Sequence, residues 1–220
     1  MGTTVTETTG VKAAGASRGM WLWLALGSML ATAFACDGVV MAAVLPLRHS
    51  GLHDILDHTI RWLGNGKFQI PALLLAAGLS MAFTCQARNA VSRAAVWALL
   101  AFTVSGAIAG ILKVIVARPR PWVQPAYAAS WHDRFLGDYQ SFPSGDSATA
   151  FAIALTLGNF FPALRIPLLI AACAVAAGRV IVGVHHPSDV VASAMLGIAT
   201  AQAVVRLAAR RARQGADAAA

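Results

Sequence analysis

Between Arg93 and Lys113 the chain runs for nineteen residues, AAVWALLAFTVSGAIAGIL, without a single charge. A run of that length admits few folds. A helix crossing a bilayer needs about 20 apolar residues, because it must span roughly 30 Å of hydrocarbon. The same pattern recurs along the chain. Six runs qualify as spans, at about Trp21–Val44, Phe68–Thr84, Ala94–Ala117, Ser144–Phe161, Pro167–Val184 and Ser188–Leu207. The second and fourth are short and their ends are soft. Only 12% of the 220 residues are charged, where a soluble domain carries about 25%.

The fold class expected is therefore all-α, a polytopic six-transmembrane-helix bundle. One membrane domain over residues 19–207 fills the chain and leaves no room for a second folded unit. Residues 1–18 are small and polar, as in a disordered cytoplasmic tail, and residues 208–220 form a basic, Ala-rich cytoplasmic tail. The apolar run from Trp21 is too long for a signal-peptide core and reads as a retained helix.

Between the first two spans, Leu52, Ile55, Leu56, Ile60 and Leu63 recur at helical spacing among polar residues, predicting an amphipathic helix in the interface. Its histidines, His49, His53 and His58, read as a solvated polar face rather than a metal site. Cys36, Cys85 and Cys173 have no CxxC spacing and read as packed thiols. No metal-ligand cluster and no cofactor motif is present.

The net charge of +8 does not indicate nucleic-acid binding, since the basic residues form no stripe with interleaved aromatics. They cluster at the ends of the apolar runs. With six spans, both termini share a side holding Lys12, Arg18, Arg88, Arg93, Arg165, Arg206, Arg210, Arg211 and Arg213. The positive-inside rule makes that side cytoplasmic. The other side holds Arg48, Arg61 and Lys67, and the loop Arg118–Pro143, whose length marks it as functional. The expected location is the inner (cytoplasmic) membrane, multi-pass, with that loop facing the periplasm or exterior.

Charges inside or at the mouths of spans are expensive and point to function. They are Asp37, Lys113, Arg118, Arg120, Asp146, Arg179, His185 and Asp189, and all but Asp37 lie near the outer ends of the last four spans. His185 and Asp189 are four residues apart, one turn on a helix face. A carboxylate beside an imidazole fixes its tautomer and raises its basicity, as a nucleophilic histidine requires; the plain alternative is a helix cap beside a wet loop histidine. Paired arginines match phosphate oxygens, and Ser144-Gly145 at a helix start offers free N–H groups to an anion. Snorkelling to the interface accounts for Arg118 and Lys113 equally well, but not for Arg179, which is flanked by apolar residues. A cationic cradle, an anion-binding helix start and a His–Asp pair point together to phosphoryl transfer through a phosphohistidine.

Three segments carry a resemblance. "KVIVARPRP" places Lys113 six residues before Arg120-Pro121. "PSGD" follows at 143–146. "GRVIVGVHHPSD" sets Arg179, five residues, His185, three residues, Asp189. In order and spacing these resemble the three motifs of the type 2 phosphatidic acid phosphatase (PAP2) superfamily, over about Leu63–Val204. The resemblance implies His185 as nucleophile, Asp189 as its orienting partner, and Lys113, Arg120, Ser144, Gly145 and Arg179 as phosphate ligands. Only His185, not His186, satisfies both family intervals, and on a helix His186 faces away from Asp189. Arg118 has no motif position. It also implies a membrane lipid phosphatase needing no metal or cofactor, with a lipid phosphate as substrate and no nucleic-acid partner.

The family's third motif usually opens Ser-Arg, where this chain has Gly178-Arg179. More consequentially, its second motif usually reads Pro-Ser-Gly-His, and that histidine protonates the leaving group. Here Asp146 holds the position. An ionised aspartate is a poor acid near neutral pH. Three readings follow: a leaving group needing little help, such as the phosphate of an isoprenyl diphosphate; a buried Asp146 with a raised pKa; or another acid such as His132, or loss of hydrolysis. The first is favoured. Phosphotransfer to another acceptor and a lipid-phosphate-binding relative without turnover are the alternatives; a transporter lacks the internal repeat expected of one.

Overall fold

The computed structural model describes residues 7–46, 85–123 and 130–218, with scattered positions between 51 and 75. The described residues form five α-helices and contain no strand: α1 (Glu7–Val44), α2 (Cys85–Val116), α3 (Gly145–Phe160), α4 (Arg165–Ile181) and α5 (Pro187–Asp217). Four candidate membrane spans lie in them, at Met20–Val44, Ala90–Val116, Pro162–Ile181 and Pro187–Asp217. The α1 helix also extends ahead of its span, through residues 7–18 that composition assigns to a tail.

The expected fourth span appears as α3, with only 16 residues. At 1.5 Å per residue it falls short of the hydrocarbon thickness. It is instead the central helix, packed against α2, α4 and α5. The expected second span and the interfacial amphipathic helix lie outside the described residues apart from isolated positions.

Side chains are distributed as a bilayer requires. Large apolar residues such as Trp21, Val39, Ile111, Ile166 and Ile170 are exposed on the bundle surface, whereas the interior is built from Ala98, Ala101, Ala148, Ala152, Ala172 and Ala201. Small residues let helix backbones approach closely where no hydrophobic force drives helices together. Cys36 and Cys173 are exposed, a correction to their reading as packed thiols: a thiol is apolar enough to face lipid. Ser28, Thr32 and Thr103 donate to carbonyls one turn back, at 2.9–3.0 Å, satisfying hydroxyls that face lipid without solvent.

One end of the bundle collects the functional segments. The α2 and α4 helices finish there, while α3 and α5 start there. The α4 exit turns on Gly183, whose φ of 66° lies where a side chain is disfavoured. The Val184 and His185 N–H groups both donate to the Arg179 carbonyl at 3.2 Å, so this turn sets His185 one step from Arg179. Arg134 staples the long loop to the same end, donating to the free carbonyls of Ile115 at 2.7 Å and Val114 at 3.3 Å at the close of α2.

Candidate active site

At that end lies a cavity of about 380 Å³ lined by Lys113, Arg120, Gln140, Gly145, Asp146, Arg179, Val184 and His185. Of the expected site residues, Lys113, Arg120, Gly145, Asp146, Arg179 and His185 therefore meet on one surface. Asp189 is fully buried behind His185. Ser144 is also fully buried; its hydroxyl accepts from Ser147 at 3.0 Å, and its side chain is not part of the lining. His132 is exposed and likewise absent from the lining, so the cavity supplies no general acid at that position.

Each wall is fixed by the chain around it. Lys113 reaches back from the last turn of α2 and donates to the Gln140 carbonyl at 2.5 Å. It lines the cavity and does not snorkel to the interface. Arg120 is held by the Gly137 carbonyl at 2.8 Å, and its guanidinium stacks over Trp122. Burial, ahead of the neighbouring Arg179, pushes the Arg120 pKa below its ordinary value. Arg179, 5% exposed, is ion-paired with Asp146 across the cavity. Asp146 sits in the first turn of α3, where a carboxylate favours the helix dipole, so its role exceeds capping: it neutralises a cradle arginine.

Asp189 is the most heavily used carboxylate of the site. Its Oδ2 accepts the Ser141 hydroxyl at 2.5 Å and the His186 backbone N–H at 2.9 Å. The same oxygen lies 3.3 Å from His186 Nδ1 and 3.5 Å from His185 Nδ1. The 3.5 Å approach is too loose to count as a formed hydrogen bond, and His185 Nδ1 has no other partner. The ring therefore points Nδ1 at Asp189 and leaves Nε2 for the cavity. Burial is the main cause, opposed by Asp189, of a His185 pKa pushed down to about 4. The imidazole is neutral near pH 7, as a nucleophile must be.

Two helical-spacing expectations are corrected here. His186 does not face away from Asp189. Pro187 opens α5, and His186 is its N-cap in extended conformation (φ −75°, ψ 157°). Both histidines thus precede the helix, and helix-face geometry does not apply to them. Asp189 caps the helix and faces His185 at once, and His185, 4% exposed, is not a wet loop histidine.

The sequence reading singled out Arg118 and Asp37 as costly charges but gave neither a role. Arg118 Nη1 donates to Asp189 Oδ1 at 2.6 Å and to Ser188 Oγ at 2.6 Å, while Nη2 donates to Asp37 Oδ2 at 2.7 Å. Asp37, in α1, further accepts the Ser188 backbone N–H at 2.9 Å and its hydroxyl at 2.5 Å. Arg118 is thus an inward-turned ion-pair bridge, not a snorkelling cation. The available signal was the cost of both charges at membrane depth.

A family model described as the PAP2 superfamily matches residues 94–213. Over 106 residues the chain is 40% identical to a lipid A 1-phosphatase of Rhizobium johnstonii, covering 46% of this chain and 43% of the relative. Over 97 residues it is 38% identical to a lipid A 1-phosphatase of Rhizobium etli, covering 42% and 41%. The chain thus spans less than half the length of the curated relatives it matches. Among solved structures, LpxE of Aquifex aeolicus aligns with a TM-score of 0.59 at 24% identity, over 77% of this chain and 94% of that one. A transmembrane PAP2-type phosphatidylglycerolphosphate phosphatase of Bacillus subtilis aligns at 0.63 and 22%, over 87% and 96%. At these identities the structural likeness is one of fold.

Proposed function

Since the chain belongs to the PAP2 superfamily, we propose that it is a membrane lipid phosphatase working through a phosphohistidine on His185, without a metal, at the outer face of the membrane. One observation carries this reading: the cavity joins three cations, Lys113, Arg120 and Arg179, to an imidazole whose far nitrogen is backed by a buried carboxylate. His185 Nε2 attacks phosphorus, and the P–O bond to the lipid breaks. The cations hold the charge spread over the phosphoryl oxygens. Asp189 faces the imidazole as it gains positive charge. Water then attacks the phosphohistidine, the P–N bond breaks, and inorganic phosphate leaves.

The leaving group decides the substrate class. Asp146 is ion-paired with Arg179 where the family has a histidine, a site suited to a departing oxygen of low basicity that needs no proton. An isoprenyl diphosphate meets that condition, because its leaving group is a phosphate. A second reading comes from the lipid A 1-phosphatases among the relatives. A sugar 1-phosphate leaves as an anomeric oxyanion, which the ring oxygen makes less basic than a simple alkoxide. Phosphatidic acid, with a plain alkoxide, is the poorest of the three.

The topology proposed has cytoplasmic termini and six passes, with the short, protein-packed α3 as the fourth. It is supported by α1 reaching the site end at Asp37 while α2, 32 residues long, starts at the opposite end. The arginines at 206, 210, 211 and 213 lie at the far end of α5 from the site.

The test is phosphate release by the purified protein from undecaprenyl diphosphate, lipid A and phosphatidic acid, with and without a chelator. The expected order places phosphatidic acid last, with no effect of chelator. Equal rates on all three defeat the leaving-group reading, and loss of activity with chelator defeats the metal-free one.

A further inference from the structure

Asp37 lies outside the stretch that matches the family model, on a helix that carries none of the three motifs. It is only 6% exposed and meets the site from behind. We propose that Asp37 is a positioning residue for the nucleophile: by sharing Arg118, it leaves Asp189 with net negative charge to serve His185. The proposal rests on the phosphohistidine reading above.

Arg118 bridges two buried carboxylates, at 2.7 Å to Asp37 and 2.6 Å to Asp189. Two carboxylates and one guanidinium carry a net charge of −1. With Asp37 neutral, Arg118 and Asp189 form a closed pair with no net charge, and a guanidinium drawn wholly to Asp189 competes with the imidazole. The loss matters because of what surrounds His185. It is faced by Lys113 of α2, Arg120 of the following loop and Arg179 of α4, against Asp146 of α3, which is engaged with Arg179. The imidazole becomes cationic on taking the phosphoryl group, in a setting already rich in cations, and Asp189 is the carboxylate behind it. Asp37 also fixes the first turn of α5 through the Ser188 N–H and hydroxyl, so it orients Asp189 as well as balancing its partner.

A simple anchor between α1 and α5 predicts cumulative damage. Charge balance predicts rescue. In the full-length protein, Asp37→Asn is expected to lower kcat about 10- to 100-fold, the size of effect that loss of an outer partner has at a metal-ligating histidine. Inhibition by inorganic phosphate should be unchanged, since the cradle cations are untouched. Adding Arg118→Met restores the lone charge on Asp189 and is expected to recover much of the lost kcat. Histidine-labelled protein followed by NMR gives a readout without turnover: the His185 imidazole should titrate lower in Asp37→Asn and return in the double variant. If Asp37→Asn does not fold, the double variant against wild type decides, a near-normal kcat supporting the balance and a loss like that of His185→Ala overturning it. A double variant worse than Asp37→Asn, or an unmoved imidazole titration, overturns the proposal. If the wild type releases phosphate from no lipid phosphate, the phosphatase reading fails, while the NMR comparison still decides the role of Asp37.

Discussion

Arg179 of α4 is ion-paired with Asp146 of α3, so one of the three cradle cations already holds a carboxylate from the opposite wall. Two effects of Asp146 can be separated by substitution. Asp146→Asn releases Arg179 without adding an acid, and is expected to tighten inhibition by inorganic phosphate. Asp146→His releases Arg179 and also supplies a proton donor. General acid catalysis contributes about 10²–10⁴-fold, so turnover of phosphatidic acid should rise by about 10²-fold, while turnover of a diphosphate changes little. The ratio of the two rates is the measurement; an unchanged ratio in Asp146→His refutes the leaving-group argument.

His185 and His186 both approach Asp189, but only His185 lines the cavity. His185→Ala should lower phosphate release by at least about 10³-fold, as loss of a nucleophile does. His186→Ala keeps the backbone N–H that donates to Asp189 at 2.9 Å and should cost only a few-fold. Rapid acid-free quenching with labelled substrate checks the assignment: label should remain on the protein in His186→Ala and vanish in His185→Ala.

Burial pushes the His185 pKa down to about 4, against an ordinary value near 6.5. The folded protein therefore binds this proton less readily than the unfolded chain. Its contribution to stability is complete above about pH 6.5 and is lost as pH falls toward about 4. The melting temperature of the wild type should drop over that window by more than that of His185→Gln, which has no such proton to take up. Parallel melting curves across the window show that His185 is not held neutral by the fold.

The apolar runs placed α1, α2, α4 and α5 because span length and lack of charge are properties of the sequence itself. Motif spacing brought out most of the cavity lining for the same reason: Lys113 and Arg120 bracket one helix end, and Arg179 and His185 bracket one turn. What escaped was long-range or depended on where a helix begins. Asp37 and Arg118 are 81 positions apart, and no periodicity connects them. The His186 error came from extending α5 backwards past Pro187, although a proline at the first helical position marks a start. The Asp146–Arg179 pair required knowing that α3 and α4 face each other across the cavity. Ser144 was read from its place at a helix start, but that start is packed inward, with the Ser144 N–H directed to the Asp189 carbonyl at 3.4 Å.

That last contact ties the first turns of α3 and α5 together, and Gly197 sets how closely the two helices run below it. A Cβ on Gly197 would lie 2.6 Å from the Ala148 carbonyl oxygen, 2.7 Å from Phe151 Cβ and 3.0 Å from the Ala152 nitrogen. Two of these are backbone atoms that cannot swing aside, so Gly197→Ala must push α3 and α5 apart. Overpacking of this kind costs about 1–3 kcal/mol, read as a lower melting temperature in detergent. The same shift moves Gly145 and Asp146 at the head of α3 relative to His185 and Asp189 at the head of α5. Misplacement of about 1 Å costs up to about 10²-fold in rate, so kcat should fall by more than the lost stability alone accounts for at a temperature where the variant is folded. Gly110→Ala is the control, since a Cβ there meets nothing within 4 Å and should leave both properties at wild-type values. If Gly197→Ala melts and turns over like Gly110→Ala, close approach of α3 and α5 is not what aligns the two halves of the site.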